Sequence, residues 1–202
     1  VLLQDDRFAT INVAIEHGRI IFENVRKFVL YMISGNIGEI LVVLVATIAG
    51  APLALLPLQI LYINAVNDVF PALALGLGPG SGAVMDRPPR DPTEPIMPKK
   101  LWYLMGVYGA LIGASVLGAF TLALTVFDMP VERAVTISFL SVAFSRLWHV
   151  FNMRDTDSSM LKNQVTRNPF VWGALALCVA LLLAAVYVGP VATVLDVVRP
   201  GR

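Results

Sequence analysis

Two carboxylates stand alone in long apolar stretches. Glu39 is the only charged residue between positions 28 and 49, and Asp68 the only one between 55 and 75. An ionised acid at the centre of a bilayer costs roughly 2.5–3.5 kcal/mol on insertion scales, so such residues face a bundle interior and mark an ion or proton path. Their neighbours supply further oxygens. Asn36 precedes Glu39 by three residues, and Asn64, Asn67 and Asp68 fall at i, i+3 and i+4, which places each set on one face of a helix. The donors are carboxylates and amides, without His or Cys. That chemistry suits a hard cation such as calcium or magnesium and not zinc or copper. Gly38 and Pro71 sit beside these residues. Pro71 removes a backbone hydrogen bond and disturbs the carbonyl of Asn67, and freed carbonyls can complete an ion site. A structural polar network without an ion is the plainer alternative.

The elements that must hold these residues are membrane helices. The chain has 202 residues, 57% hydrophobic and 14% charged, against about 25% charged in soluble domains. Its net charge of +1 gives no nucleic-acid footprint. The single cysteine, Cys178, has no disulfide mate in the chain and no metal-ligand spacing around it. A bilayer span needs roughly 20 mostly apolar residues. Five stretches meet this, near 28–49, 55–75, 101–127, 134–153 and 169–188. The fold class is therefore all-α, a polytopic membrane bundle of about five spans. The first two are separated only by Gly50-Ala51-Pro52, a tight helical hairpin. Residues 8–27 have an amphipathic helical pattern and run into the first span without a breaker. One long helix is expected, projecting from the membrane as a cytoplasmic stalk.

Lys and Arg set the orientation. Arg19, Arg26 and Lys27 precede the first span. Arg87, Arg90, Lys99 and Lys100 lie between the second and third, and Arg154, Lys162 and Arg167 between the fourth and fifth. These segments are expected on the cytoplasmic side. The Pro- and Gly-rich loop after the second span is either a solvated linker or a docking loop for a cytoplasmic domain. No internal repeat of the kind found in many secondary transporters is visible. The absence of an initial Met and of a signal peptide, and the end at Pro200-Gly201-Arg202, suggest part of a longer protein.

Arg146 lies within the fourth span and needs a counter-charge. It is expected to pair with Glu39 or Asp68, filling space that a second cation could use. His149, on the same face one turn on, reads as an interfacial residue. Gly109 and Gly113 form a GxxxG pair for close packing, with the first span as the expected mate. Tyr31, Trp102, Tyr103, Trp148 and Trp172 read as aromatic-belt anchors.

Several ordered motifs resemble the type II, calcium-pump-like group of P-type cation-transporting ATPases. Asp5-Asp6-Arg7-Phe8-Ala9-Thr10-Ile11 with Glu16-His17-Gly18-Arg19 is similar to the join between phosphorylation domain and stalk. Ser34-Gly35-Asn36-Ile37-Gly38-Glu39 resembles the fifth transmembrane helix, and Asn64-Ala65-Val66-Asn67-Asp68 with Pro71-Ala72-Leu73-Ala74-Leu75-Gly76 the sixth. Met85-Asp86-Arg87-Pro88-Pro89-Arg90 is similar to the following cytoplasmic loop. The resemblance covers nearly the whole chain and implies helices five to nine of such a pump.

The resemblance implies that Glu39, Asn64 and Asp68 are cation ligands, with Asn36 a further one. Asn67 stands where two-calcium pumps carry a Thr ligand. Arg146 stands where they carry a Glu, a departure that favours one cation per cycle with proton countertransport. Calcium is the expected cargo. No D-K-T-G-T phosphorylation motif or nucleotide domain is present, so no catalytic residue is expected here, and Mg-ATP would be used by absent domains. The implied partners are the bilayer, those cytoplasmic domains and the first four helices. The expected place is the plasma membrane of a prokaryote, crossed several times. The expected division is 1–27 for the end of the phosphorylation domain and the stalk, 28–75 for the ion-site helices, 76–100 for the Pro-rich loop and 101–202 for support helices. A sodium or proton pump of the same family, and a free-standing channel or secondary transporter, are the alternatives.

Overall fold

In the computed structural model five helices among the described residues are long and apolar enough to cross a membrane. The structure describes residues 8–80, 84–86, 88–89, 95–155, 158–159 and 162–198. Asp5, Asp6, Arg7, Arg87 and Arg90, on which parts of the stalk and loop motifs rest, lie outside the described residues. Among the described residues there is no β-strand.

Helix α1 runs unbroken over Phe8–Ile48. At 1.5 Å per residue its 41 residues span about 62 Å, about twice the hydrocarbon thickness. The excess is the amphipathic N-terminal part, as the continuous pattern through residues 8–48 predicts. The helix stops at a glycine. Gly50 adopts φ +63°, and the Ala51 N–H reaches back to the Ala46 carbonyl at 3.0 Å. This is the six-to-one bond of a Schellman ending, which satisfies a terminal carbonyl. Pro52 follows and prevents continuation.

The second span is composite. Helix α2 covers Pro57–Ile63, a π-helical turn covers Asn64–Asp68, and α3 covers Val69–Gly76. Pro71 has no N–H to give to the Asn67 carbonyl, and the chain widens into π geometry just before it. Such turns concentrate at functional sites. Here the turn contains Asn64, Asn67 and Asp68.

Three further elements close the bundle. Helix α4 covers Lys99–Thr125, α5 covers Val131–His149 with a 3-10 turn at Val150–Met153, and α6 covers Pro169–Tyr187. A short α7, Gly189–Val194, follows. Helix α1 packs most extensively on α4, through glycines on both sides. A Cβ on Gly109 would come within 3.0 Å of the Ser34 carbonyl, and one on Gly38 within 3.2 Å of the Gly109 carbonyl. The GxxxG pair thus meets the first span, where small residues let two backbones approach.

Polar side chains lash the basic end together. Asn24 donates to the Gly76 and Gly78 carbonyls at 3.2 and 2.9 Å. Arg19 donates to Val84 O at 3.0 Å, and Arg26 to Ile96 O and Pro95 O at 2.6 and 3.1 Å. Lys27 pairs with Asp155 at 3.0 Å. The polar face at the N-terminal part of α1 therefore grips loop carbonyls instead of only meeting solvent. Asn168 caps α6 by accepting the Phe170 N–H at 2.9 Å, ahead of Pro169 at the first helical position. The same amide donates to Ala74 O at 2.9 Å, tying α6 to the end of α3.

The aromatic expectations divide. Trp102, Tyr103, Trp148 and Trp172 are exposed on the bundle surface, as belt anchors would be. Tyr31 is not: it is fully buried. Its position explains why, since Tyr31, Gly35 and Glu39 recur at i, i+4 and i+8 and share the inward face of α1. His149 is also buried within the bundle. Its ring lies 4.7 Å from that of Tyr108 and 5.9 Å from that of Tyr31.

Candidate cation site

The polar residues predicted from spacing converge from three elements. Glu39 and Asn36 come from α1, Asn64 and Asp68 from the π turn, and Arg146 from the last turn of α5. Arg146 lies 78 to 110 residues along the chain from the other four. Arg146 is fully buried, with Glu39 and Asp68 4% and 6% exposed. Without a counter-charge each acid would be prohibitively placed.

Arg146 supplies that charge to both acids at once. Its Nη1 donates to Glu39 Oε1 at 2.5 Å and to Asn64 Oδ1 at 2.8 Å. Its Nη2 donates to Asp68 Oδ1 and, at 3.4 Å, to Asn36 Oδ1. The expected pairing with one carboxylate is thus a pairing with two, plus two amides. Guanidinium geometry suits this, because its planar fork presents five N–H donors in fixed directions. Gly35 makes the room. A Cβ there would overlap the Arg146 guanidinium, so this glycine is needed for close approach.

Asn67 plays a different part. Its Nδ2 donates to the Ala143 carbonyl of α5 at 2.9 Å, and its own carbonyl accepts the Tyr31 hydroxyl at 2.6 Å. The carbonyl released by Pro71 is therefore taken by Tyr31. The Asn67 Oδ1 is buried with no hydrogen-bond partner, which leaves one amide oxygen available. Cys178 also reaches the π turn, its thiol 3.4 Å from Val66 O.

The cluster can do one thing well: hold positive charge. Among the described residues no three His, Cys, Asp or Glu side chains gather in one place. A metal ion here would take two carboxylates and complete its shell with amide and backbone oxygens, as hard cations accept. The seats such a cation would use are those on which the guanidinium rests. Two hollows flank the cluster. One of about 630 Å³ is lined by Asn36, Glu39, Asn64 and Thr47 among apolar residues. The other, of about 360 Å³, is apolar apart from Asp68.

Residues 52–201 match the family described as "Cation transporting ATPase, C-terminus". The chain belongs to that family. It is also 39% identical over 190 residues to a calcium-transporting ATPase of Bacillus subtilis (strain 168). The match covers 94% of this chain and 21% of that relative, so the chain spans about a fifth of the relative's length. Membership agrees with the five candidate spans: this is a multi-pass membrane region of a cation-transporting ATPase C-terminus.

Two features of the site were not visible as site residues beforehand. Tyr31 braces the π turn, and its i+8 spacing to Glu39 was the available signal. Gly35 makes space for Arg146, which only the packing of α5 against α1 reveals.

Proposed function

We propose that this region binds and moves the cation of an ATP-driven pump, and that the cation is calcium. The observation that carries the reading is the convergence of Asn36, Glu39, Asn64 and Asp68 on a single buried positive charge. Four side chains with outward oxygens, brought together in an apolar bundle, form a seat for a cation. The calcium-transporting relative supports the choice of ion. Asn67 contributes its free amide oxygen.

Arg146 acts in this reading as a built-in cation. It neutralises both acids when no metal is bound and must give way when one enters. Its bulk leaves space for one transported ion per cycle, with proton countertransport balancing charge. Mg-ATP is consumed by cytoplasmic domains of the full-length protein, and phosphorylation there pulls on the stalk, residues 1–27, and on the loop 76–100. The ion-site helices, 28–75, then switch between two affinities and two sides of access, with 101–202 as support. The site of action is the plasma membrane of a prokaryote.

The test is cation-dependent phosphorylation of the full-length protein with calcium, sodium and manganese compared, because oxygen ligands alone do not select among hard cations. Phosphorylation driven by calcium at the lowest concentration is expected. Sodium-driven phosphorylation indifferent to calcium would reject the calcium assignment.

A further inference from the structure

A further hollow, lined by both polar and apolar side chains, lies between α4 and α5 and shares no residue with the cation cluster. It is a groove of about 660 Å³. Its polar lining is Tyr108 and Ser115 from α4, Ser141, Ser145 and His149 from α5, and Asn152 from the 3-10 turn. Ser115 donates to Ile112 O at 2.7 Å and lies 3.4 Å from the Ser145 hydroxyl. Asn152 meets His149 Nδ1 at 3.2 Å.

The His149 imidazole closes the inner side of the groove. The residue is 3% exposed, and its Nε2 is buried with no hydrogen-bond partner. An imidazole nitrogen bonds as donor or acceptor in either tautomer, and a buried polar group left unpaired is costly. Lipid tails offer such groups nothing. The polar side chains along the groove face its space, and it has room for water: a water needs roughly 30 Å³ and two to four polar neighbours. Four hydroxyls, an amide and the imidazole supply those neighbours.

The position of the groove gives it a direction. Asn152 is beside Arg154 and the basic segment before α6, so the mouth lies at the basic end of the bundle. From Asn152 to Ser141 is 11 residues, about 16 Å along a helix, which is about half of the hydrocarbon thickness. At the inner side the His149 ring stacks on Tyr31, whose hydroxyl holds the Asn67 carbonyl. Water at His149 would therefore stand one ring away from the π turn.

We propose that this groove is a water-filled inlet running from the basic surface about half-way across the membrane, past the edge of the His149 ring. The inlet does not depend on which ion is carried, or on whether the carboxylate cluster carries one. The test is thiol accessibility in the full-length protein in nanodiscs, where both faces meet solvent. Ser145→Cys, Ser141→Cys and Ser115→Cys are each treated with a membrane-impermeant methanethiosulfonate reagent. Leu122→Cys on α4 and Leu183→Cys on α6, both exposed on the bundle surface, are the lipid-facing comparisons, and the unsubstituted protein gives the background. Only a thiolate reacts, and thiolate forms in water and not among lipid tails, so the groove cysteines should react at least about ten-fold faster than the comparisons. Three positions on two helices guard against one variant failing to fold. Groove cysteines no faster than the lipid-facing pair would overturn the proposal, whether the groove is closed or filled by lipid.

Discussion

Replacing Arg146 by Gln removes the one positive charge between two buried carboxylates. Gln can keep one hydrogen bond of the four that the guanidinium makes. Glu39 and Asp68 are left facing each other at 4% and 6% exposure. Breaking a buried ion pair by deleting one member costs about 3–5 kcal/mol, and here one deletion breaks two pairs, so the upper end applies. A cation entering the vacated seat offsets that loss. At a hundred times its Kd a ligand specific to the folded state adds about 2.7 kcal/mol. In the unsubstituted protein part of that gain is spent displacing Arg146; in the variant none is. The assay is thermal unfolding of the purified full-length protein over a calcium titration. Arg146→Gln should unfold at lower temperature without calcium and show the larger rise with it. Calcium bound per protein, measured in parallel, should increase. A variant as stable as the parent without calcium, or with the same calcium-dependent rise and the same stoichiometry, would refute the reasoning.

Three other outcomes follow from particular contacts. Tyr31→Phe leaves the Asn67 carbonyl buried and unpaired, for a loss of about 1–3 kcal/mol, read in the same unfolding assay and accompanied by weaker calcium binding. Gly109→Ala places a Cβ near the Ser34 carbonyl and into Ile37; overpacking of this kind costs about 1–3 kcal/mol, whereas Gly118→Ala, where nothing lies within 4 Å, should be silent. Asn168→Ala removes the cap of α6, worth about 0.5–2 kcal/mol, and its bond to Ala74 O as well. It should speed proteolysis of the loop before α6 more than Asn152→Ala does.

Much of this architecture is legible in the amino-acid order because a bilayer permits so few solutions. Apolar runs of sufficient length must be helices, and an acid in such a run must face inward. Glu39 and Asp68 therefore announced the buried polar cluster, and three- and four-residue spacing added Asn36, Asn64 and Asn67. Pro71 announced a disturbance, and the π turn is its local form. What stayed hidden depended on how helices far apart in sequence meet. That Arg146 reaches both acids depends on α5 packing where Gly35 leaves a gap. Tyr31 and His149 read as interfacial because aromatic residues near a span end usually are. Their burial depends on facing each other across α1 and α5. The grip of Arg19, Asn24 and Arg26 on loop carbonyls was equally out of reach, since a carbonyl has no signature in a side-chain pattern.

The central claim is that Asp68, shared between the π turn and Arg146, is a seat of the transported cation. Phosphorylation of the full-length protein as a function of calcium, with Asp68→Asn beside the parent, tests it most directly. The neutral amide keeps the shape and loses the charge. Calcium-dependent phosphorylation should disappear in Asp68→Asn or require far more calcium. Calcium-dependent phosphorylation unchanged in Asp68→Asn would contradict the account.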